Sequence, residues 1–189
     1  MRRLRGNDAR PAGGSPRAAA EGGGRSVGRH RLETRRLLLV SAPPDLFELA
    51  AQERTRAEAA VGAALPPDWP EPGLAKALRS LARIEHGWGL WLVVARDEAV
   101  VVGTTGFKGP PADRLTVETG YGIEAAYRNR GYASEAVTAL VRWALGRPGV
   151  TRVIAECERA NAPSIRVLEK AGFRQVGERG SMLDWEIVG

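Results

Sequence analysis

Between Leu115 and Leu145 the hydrophobic repeat changes from every second residue to the helical spacing, and the change turns on one basic, glycine-bearing loop. Leu115, Val117, Thr119, Tyr121 and Ile123 share one parity of an alternating run, with Thr116, Glu118, Gly120 and Gly122 on the other. That alternation predicts a strand, and its two glycines predict a bulge or a close backbone approach. Ala133, Val137, Leu140, Val141 and Ala144 then recur at helical spacing until Gly146 and Pro148 stop the helix. Between the two lies Arg128-Asn129-Arg130-Gly131-Tyr132-Ala133.

A loop placed there can do specific chemistry. The first turn of a helix has backbone N–H groups without partners, and the helix dipole adds partial positive charge. Gly131 lets the backbone come close to a ligand or take a positive φ, Arg128 and Arg130 bring forked donors, and Ala133 leaves room. The chemistry is that of an anion cradle; the plain alternative is a turn with a solvated basic rim. A triphosphate-hydrolysing P-loop is excluded, because Gly131 is followed by Tyr132 rather than Lys-Ser/Thr. Gly120-Tyr-Gly122-Ile-Glu-Ala125 imitates a dinucleotide fingerprint, but Gly131 would cut its helix to two turns. No acidic residue occurs between Glu135 and Glu156 to hold a ribose.

The remaining elements follow the same logic. Leu37–Val40 ends a first strand that begins near Leu32, and Ser41-Ala-Pro-Pro-Asp45 breaks it. One helix is expected over Leu46 to about Val61, and a second where Leu74, Ala77, Leu78, Leu81 and Ile84 recur. Two β-rich runs joined by Arg96-Asp97-Glu98 predict a hairpin, and Val150 to Cys157 another strand. Asn161 is placed to cap a helix that Gly172 ends, and two strands close the chain. The order β, α, α, β, β, β, α, β, α, β, β predicts an α/β (α+β) chain: a mixed sheet with helices packed on its faces.

Charge is distributed unevenly. The formal net charge is +6 over 189 residues, but residues 1–31 hold eight arginines against Asp8 and Glu21, which accounts for all of it. Residues 1–31, rich in Arg, Gly and Ala, are therefore expected to form a disordered tail, and residues 32–189 one formally neutral domain. A nucleic-acid role would be confined to weak binding through that tail; a dispensable extension is the plainer reading. The apolar run Leu90–Ala95 is far short of the roughly 20 residues a membrane span needs, so no membrane partner is expected. No secretory pattern is visible, and the single cysteine, Cys157, precludes an internal disulfide, so a cytoplasmic setting is expected. His30 falls in the tail and His86 at a helix end, and no metal-ligand cluster is present in the sequence.

Arg128-Asn-Arg-Gly131-Tyr-Ala133 resembles the acetyl-CoA loop, R/Q-x-x-G-x-G/A, of the GNAT N-acetyltransferases. Its surroundings, "GYGIEAAYRNRGYASEAV" and "NAPSIRVLEKAGFRQVGE", resemble the RimJ/RimL-like branch, which is associated with acetylation of protein N-terminal amines; the likeness spans about Leu32 to Val188. The resemblance implies the GNAT fold, a mostly antiparallel central sheet splayed at the cofactor cleft and flanked by helices. It implies acetyl-CoA as cofactor and a primary amine as acceptor, on a protein N-terminus or a small molecule; many relatives are dimers, which leaves a homodimer open.

Residue by residue, it implies that Tyr121, Gly122 and Ile123 offer backbone groups to the pantetheine arm. Arg128, Asn129, Arg130, Gly131, Tyr132 and Ala133, with Ser134 at the edge, would hold the pyrophosphate. Asn161 and Ser164, matching "N-x-x-S", would lie beside the pantetheine and its thiol end. Glu156 is the first candidate for a base, with a solvated strand-end carboxylate as the equal alternative; Glu118 is the second. Ser164 or water would protonate the thiolate, because the position at which some relatives carry a proton-donating tyrosine is Leu168. That departure keeps a second function open: an acyl-CoA-binding module that senses or scaffolds without turnover. Cys157, with no histidine near it in sequence, is expected to be packing, and Trp69, Trp88, Trp91, Trp143 and Trp185 likewise.

Overall fold

The structure, a computed structural model, describes residues 30–70, 75–84, 87–111 and 115–189. Its centre is β3, Leu90–Ala95, whose six residues are all buried. A continuous apolar run is what a strand covered on both faces requires. β3 pairs antiparallel with β2, Leu37–Ser41, on one side and with β4, Val100–Phe107, on the other. The turn joining β3 to β4 falls on Arg96–Ala99, as the polar Arg96-Asp97-Glu98 signal predicts.

Outside β2 lies a short edge strand, β1, Arg31–Glu33, and beyond β4 lies β5, Thr116–Ile123. The sheet continues through β6, Arg152–Glu158, β8, Met182–Val188, and β7, Arg174–Arg179, in the order β1-β2-β3-β4-β5-β6-β8-β7. Every neighbouring pair is antiparallel except β5 with β6. The fold is thus the expected mixed, mostly antiparallel sheet.

Helices cover both faces. α1, Leu46–Gln52, and α2, Arg54–Val61, put Leu46, Phe47, Ala57 and Val61 against Val40, Leu92, Val94 and Val101; α3, Ala75–Ala82, adds Ala82. On the opposite face α4, Tyr132–Leu145, and α5, Ala162–Ala171, pack Val137, Leu140, Val141 and Leu168 against Leu37, Trp91, Val93, Val117 and Val153. Trp143 of α4 anchors an aromatic cluster, with ring centroids 4.9 Å from Trp88, 5.3 Å from Trp91 and 6.1 Å from Phe107. The tryptophans are core, and Trp69, buried on the other face, stacks on Phe47 at 5.1 Å.

Three local expectations change. The single helix over Leu46–Val61 is two, broken at Glu53, whose φ of −141° is not helical. No glycine or proline marks the break; it coincides with Arg54, which directs its guanidinium at the carbonyls of Leu65 and Pro66 and so fixes the following loop. β1 adds a strand that three alternating residues could not announce. His30, read from sequence as tail, meets Trp143 edge-on at 5.5 Å and stacks on Trp91 at 6.2 Å. The start of the second expected helix at Leu74, His86, and residues 1–29 lie outside the described residues.

Candidate active site

The cradle forms where the period changes. A single 3-10 turn, Ala125–Tyr127, leads from β5 into the loop, and Gly131 stands as the N-cap of α4 with φ of 79°. Asn129 is also left-handed, at 63°. Among the described residues no side chain caps α4, and the first backbone bond across its start runs from the Glu135 N–H to the Gly131 carbonyl at 3.2 Å. The amides of Tyr132, Ala133 and Ser134 therefore lie at the positive end of a 14-residue helix with no capping side chain over them. A β-carbon on Gly131 would come within 3.3 Å of the Arg36 guanidinium.

Arg36 is a residue that sequence reasoning missed. Its Nη1 donates to the Arg130 carbonyl at 2.8 Å, its Nε to Glu135 at 2.8 Å, and its backbone N–H to the same carboxylate at 2.9 Å. The guanidinium also lies 4.9 Å over the Tyr132 ring, and Thr34 donates its hydroxyl to Glu135 at 2.6 Å. Burial works to raise the Glu135 pKa, but the Thr34 hydroxyl and the Arg36 donors outweigh it and hold the carboxylate below its ordinary value. The β1–β2 corner is thereby bolted to the first turn of α4. Nearly a hundred residues separate the partners, and no local pattern could pair them.

The loop's own arginines brace it too. Arg128 donates to the Ile123 carbonyl at 2.9 Å; Arg130 reaches the Ala126 carbonyl at 3.3 Å and Glu98, in the β3–β4 turn, at 3.5 Å. Both remain exposed.

Below the cradle the sheet opens. β5 and β6 pair at only three positions, Thr116 with Arg152, Val117 with Val153 and Glu118 with Ile154; β5 then continues beside β4 to Ile123 and β6 beside β8 to Glu158. The Lys108 N–H donates to the Glu118 carbonyl and the Glu124 N–H to the Val102 carbonyl, so the even-numbered residues of β5 are bonded to β4. By alternation the backbone groups of Thr119, Tyr121 and Ile123 face the gap. Gly122 bonds on the β4 side, opposite Thr104; what it gives the site is room, since a β-carbon there or on Gly120 would meet nothing within 4 Å.

The two faces of the gap differ. Val117, Val153 and Ala155 point into the α4 side, so Glu118 and Glu156 project from the other face, on either side of the opening. Glu118 is paired with Lys108, and Glu156 with Arg179, which also binds Asp184 at 2.8 Å. Arg179 holds Asp184 below the ordinary carboxylate range.

Asn161 and Ser164 lie on the α5 side. The Asn161 side chain accepts the Ser164 N–H at 3.1 Å, capping the helix, and the Ser164 carbonyl accepts the Tyr121 hydroxyl at 3.1 Å. The structure thus separates Ser164 from the two carboxylates. Leu168 is fully buried, and burial pushes the Cys157 thiol up, as suits a packing cysteine. Among the described residues no group of three or more His, Cys, Asp or Glu side chains could hold a metal ion.

A helix N-terminus with no described side chain over it, beside a strand edge whose Tyr121 backbone faces the gap and whose glycines face open space, fits the phosphates and extended amide arm of acetyl-CoA. Fold and cleft together define an acyl-CoA-dependent transferase. The chain belongs to the GNAT acetyltransferase family, whose domain matches residues 36–174, and it is an acetyl-CoA-dependent N-acetyltransferase. Among its relatives is the uncharacterised N-acetyltransferase YjdG of Bacillus subtilis, 33% identical over 148 residues that cover 75% of this chain and 88% of that one. A GNAT-family acetyltransferase from Bordetella pertussis superposes with a TM-score of 0.58 at 28% identity, over 84% of this chain and 99% of that one. RimL, a ribosomal-protein alpha-N acetyltransferase in complex with coenzyme A, superposes with a TM-score of 0.62 over 84% of this chain and 98% of that one; at 17% identity that likeness is one of fold.

Proposed function

We propose that this enzyme acetylates a primary amine that enters from the face carrying Glu118 and Glu156, with the N-terminal amine of a protein as the leading acceptor class and a small-molecule amine as the other. The observation that carries the reading is a gap open through the sheet, with an anion cradle on one face and two carboxylates at the mouth of the other. The name of RimL supports the protein-terminus acceptor, and the RimJ/RimL-like loop supports the branch. No described helix is long and apolar enough to cross a membrane.

Bound acetyl-CoA supplies an acyl carbon already activated as a thioester. Arg128 to Ser134 hold its phosphates through the backbone amides at the α4 N-terminus. The gap-facing backbone of Tyr121 and Ile123, with Asn161 and Ser164 opposite, aligns the arm. Glu156 takes the proton that the acceptor ammonium must lose before its neutral amine attacks, directly or through water, once Arg179 shares it with the incoming amine; Glu118 is the second carboxylate able to do so.

Titration calorimetry of acetyl-CoA into the full chain, followed by free-thiol release across peptides with varied N-termini and small amines, tests this. Micromolar binding with release on peptides supports the protein-terminus reading, release on small amines alone transfers it to that class, and absence of binding overturns the site.

A further inference from the structure

Tyr121 occupies a position that the backbone role does not explain. Its main chain faces the gap, and its side chain leaves β5 on the α4–α5 face just where β5 and β6 part. The phenol crosses to the first turn of α5 and donates to the Ser164 carbonyl at 3.1 Å. Leu168, one turn further along α5, is fully buried and offers no proton. Of the other phenols, Tyr127 points toward Glu98 at 3.5 Å and Tyr132 lies under the Arg36 guanidinium, both away from this crossing.

We propose that Tyr121 is the general acid of the reaction, the group that protonates the departing thiolate. This rests on the reading that the thioester lies in the gap between β5 and β6. The gap narrows to the Glu118–Ile154 pair at one end and opens to the cradle at the other. An arm anchored by phosphate at the cradle and extended along β5 runs past Tyr121 toward that closed end, where Glu118 and Glu156 flank the opposite face. An acid on the α5 face and a base on the other is the arrangement that direct transfer requires.

As the amine nitrogen bonds to the acyl carbon and the C–S bond breaks, the electron pair goes to sulfur, and Tyr121 Oη passes its proton there. The neutral amine's nitrogen, its ammonium proton already passed to solvent, sheds one further proton to the carboxylate face, and that proton returns through water to restore the phenol. The products are the amide and the free thiol, with no net proton consumed. Burial raises the phenol's pKa, the Ser164 side chain offsets part of the rise, and Cys157 adds to it. The group therefore stays protonated across the working pH range, as an acid must.

The test is Tyr121→Phe in the full chain, which keeps the ring and its packing. The expected result is that kcat falls about 100-fold while KM for acetyl-CoA changes less than about threefold. A second readout needs no turnover. Free CoA carries its own thiol, which ionises near pH 8.5, the ordinary range for thiols. With a neutral phenol donating to the thiolate, wild-type affinity for CoA by calorimetry should be similar at pH 7 and about pH 9.5; in Tyr121→Phe it should drop about tenfold between the two. Unchanged kcat, or the same pH dependence of CoA affinity in both proteins, overturns the assignment. So does an equal loss of affinity at pH 7, which would make Tyr121 a strut between β5 and α5. Failure of the wild type to bind CoA would instead overturn the underlying reading of the gap.

Discussion

Gly131 shows how much one residue can decide. Its φ of 79° lies in the left-handed region, where a β-branched side chain is strained, and its β-carbon site abuts Arg36. Gly131→Val should weaken acetyl-CoA binding at least tenfold in calorimetry while the circular dichroism spectrum stays native, because the strain falls on the loop and not on the core. Glu156 poses a different question, since Arg179 already holds it. If Glu156 accepts a proton, Glu156→Gln should lower kcat by tenfold or more, and Arg179→Ala should leave far more activity than that. Equal losses in the two variants would assign the carboxylate to the ion pair alone.

At the scale of elements, the contact between the β1–β2 corner and α4 carries the argument. Glu135 has a depressed pKa in the folded protein, so its bonds to Thr34 and Arg36 stabilise the fold above the unfolded carboxylate value of roughly 4.3 and are lost as pH falls through the lower folded value. Glu135→Gln should therefore unfold in urea about 1–2 kcal/mol more easily at pH 7, with the gap from wild type closing below about pH 4. These bonds also explain what was legible. The strand-to-helix switch at Gly131, the Arg96–Ala99 turn, the Asn161 cap and the Gly172 stop are written within a few residues of where they act, and the chain announces them. The break at Glu53, the bolting of Arg36 to Glu135 and the placing of Ser164 and Glu156 on opposite faces depend on partners far away in sequence. Local periodicity carries no trace of them. The carboxylates could be named as candidates from strand position, but their ion pairs with Lys108 and Arg179 required the register of neighbouring strands.

For the whole molecule, the described chain begins at His30, which packs against Trp91 and Trp143. Deleting residues 1–29 should leave melting temperature and acetyl-CoA affinity unchanged, although it removes most of the excess positive charge. Deleting through Arg31 should cost about 1–2 kcal/mol, from lost ring contacts and a shortened edge strand, readable as a melting point lowered by several degrees. Equal melting of the two truncations would mean that the ring contacts add nothing.

The eight described strands form two panels stitched along three residues. Thr116, Val117 and Glu118 form the whole seam between the half that carries α1 to α3 and the half that ends in β7, with α4 laid across it as a splint. An extended occupant bonded to the gap-facing edge of β5, as proposed for the acetyl-CoA arm, would act as a further strand that lengthens the stitching. On that proposal, filling the cleft and stiffening the protein would be one event, and the substrate that the enzyme consumes would also be a temporary part of its framework.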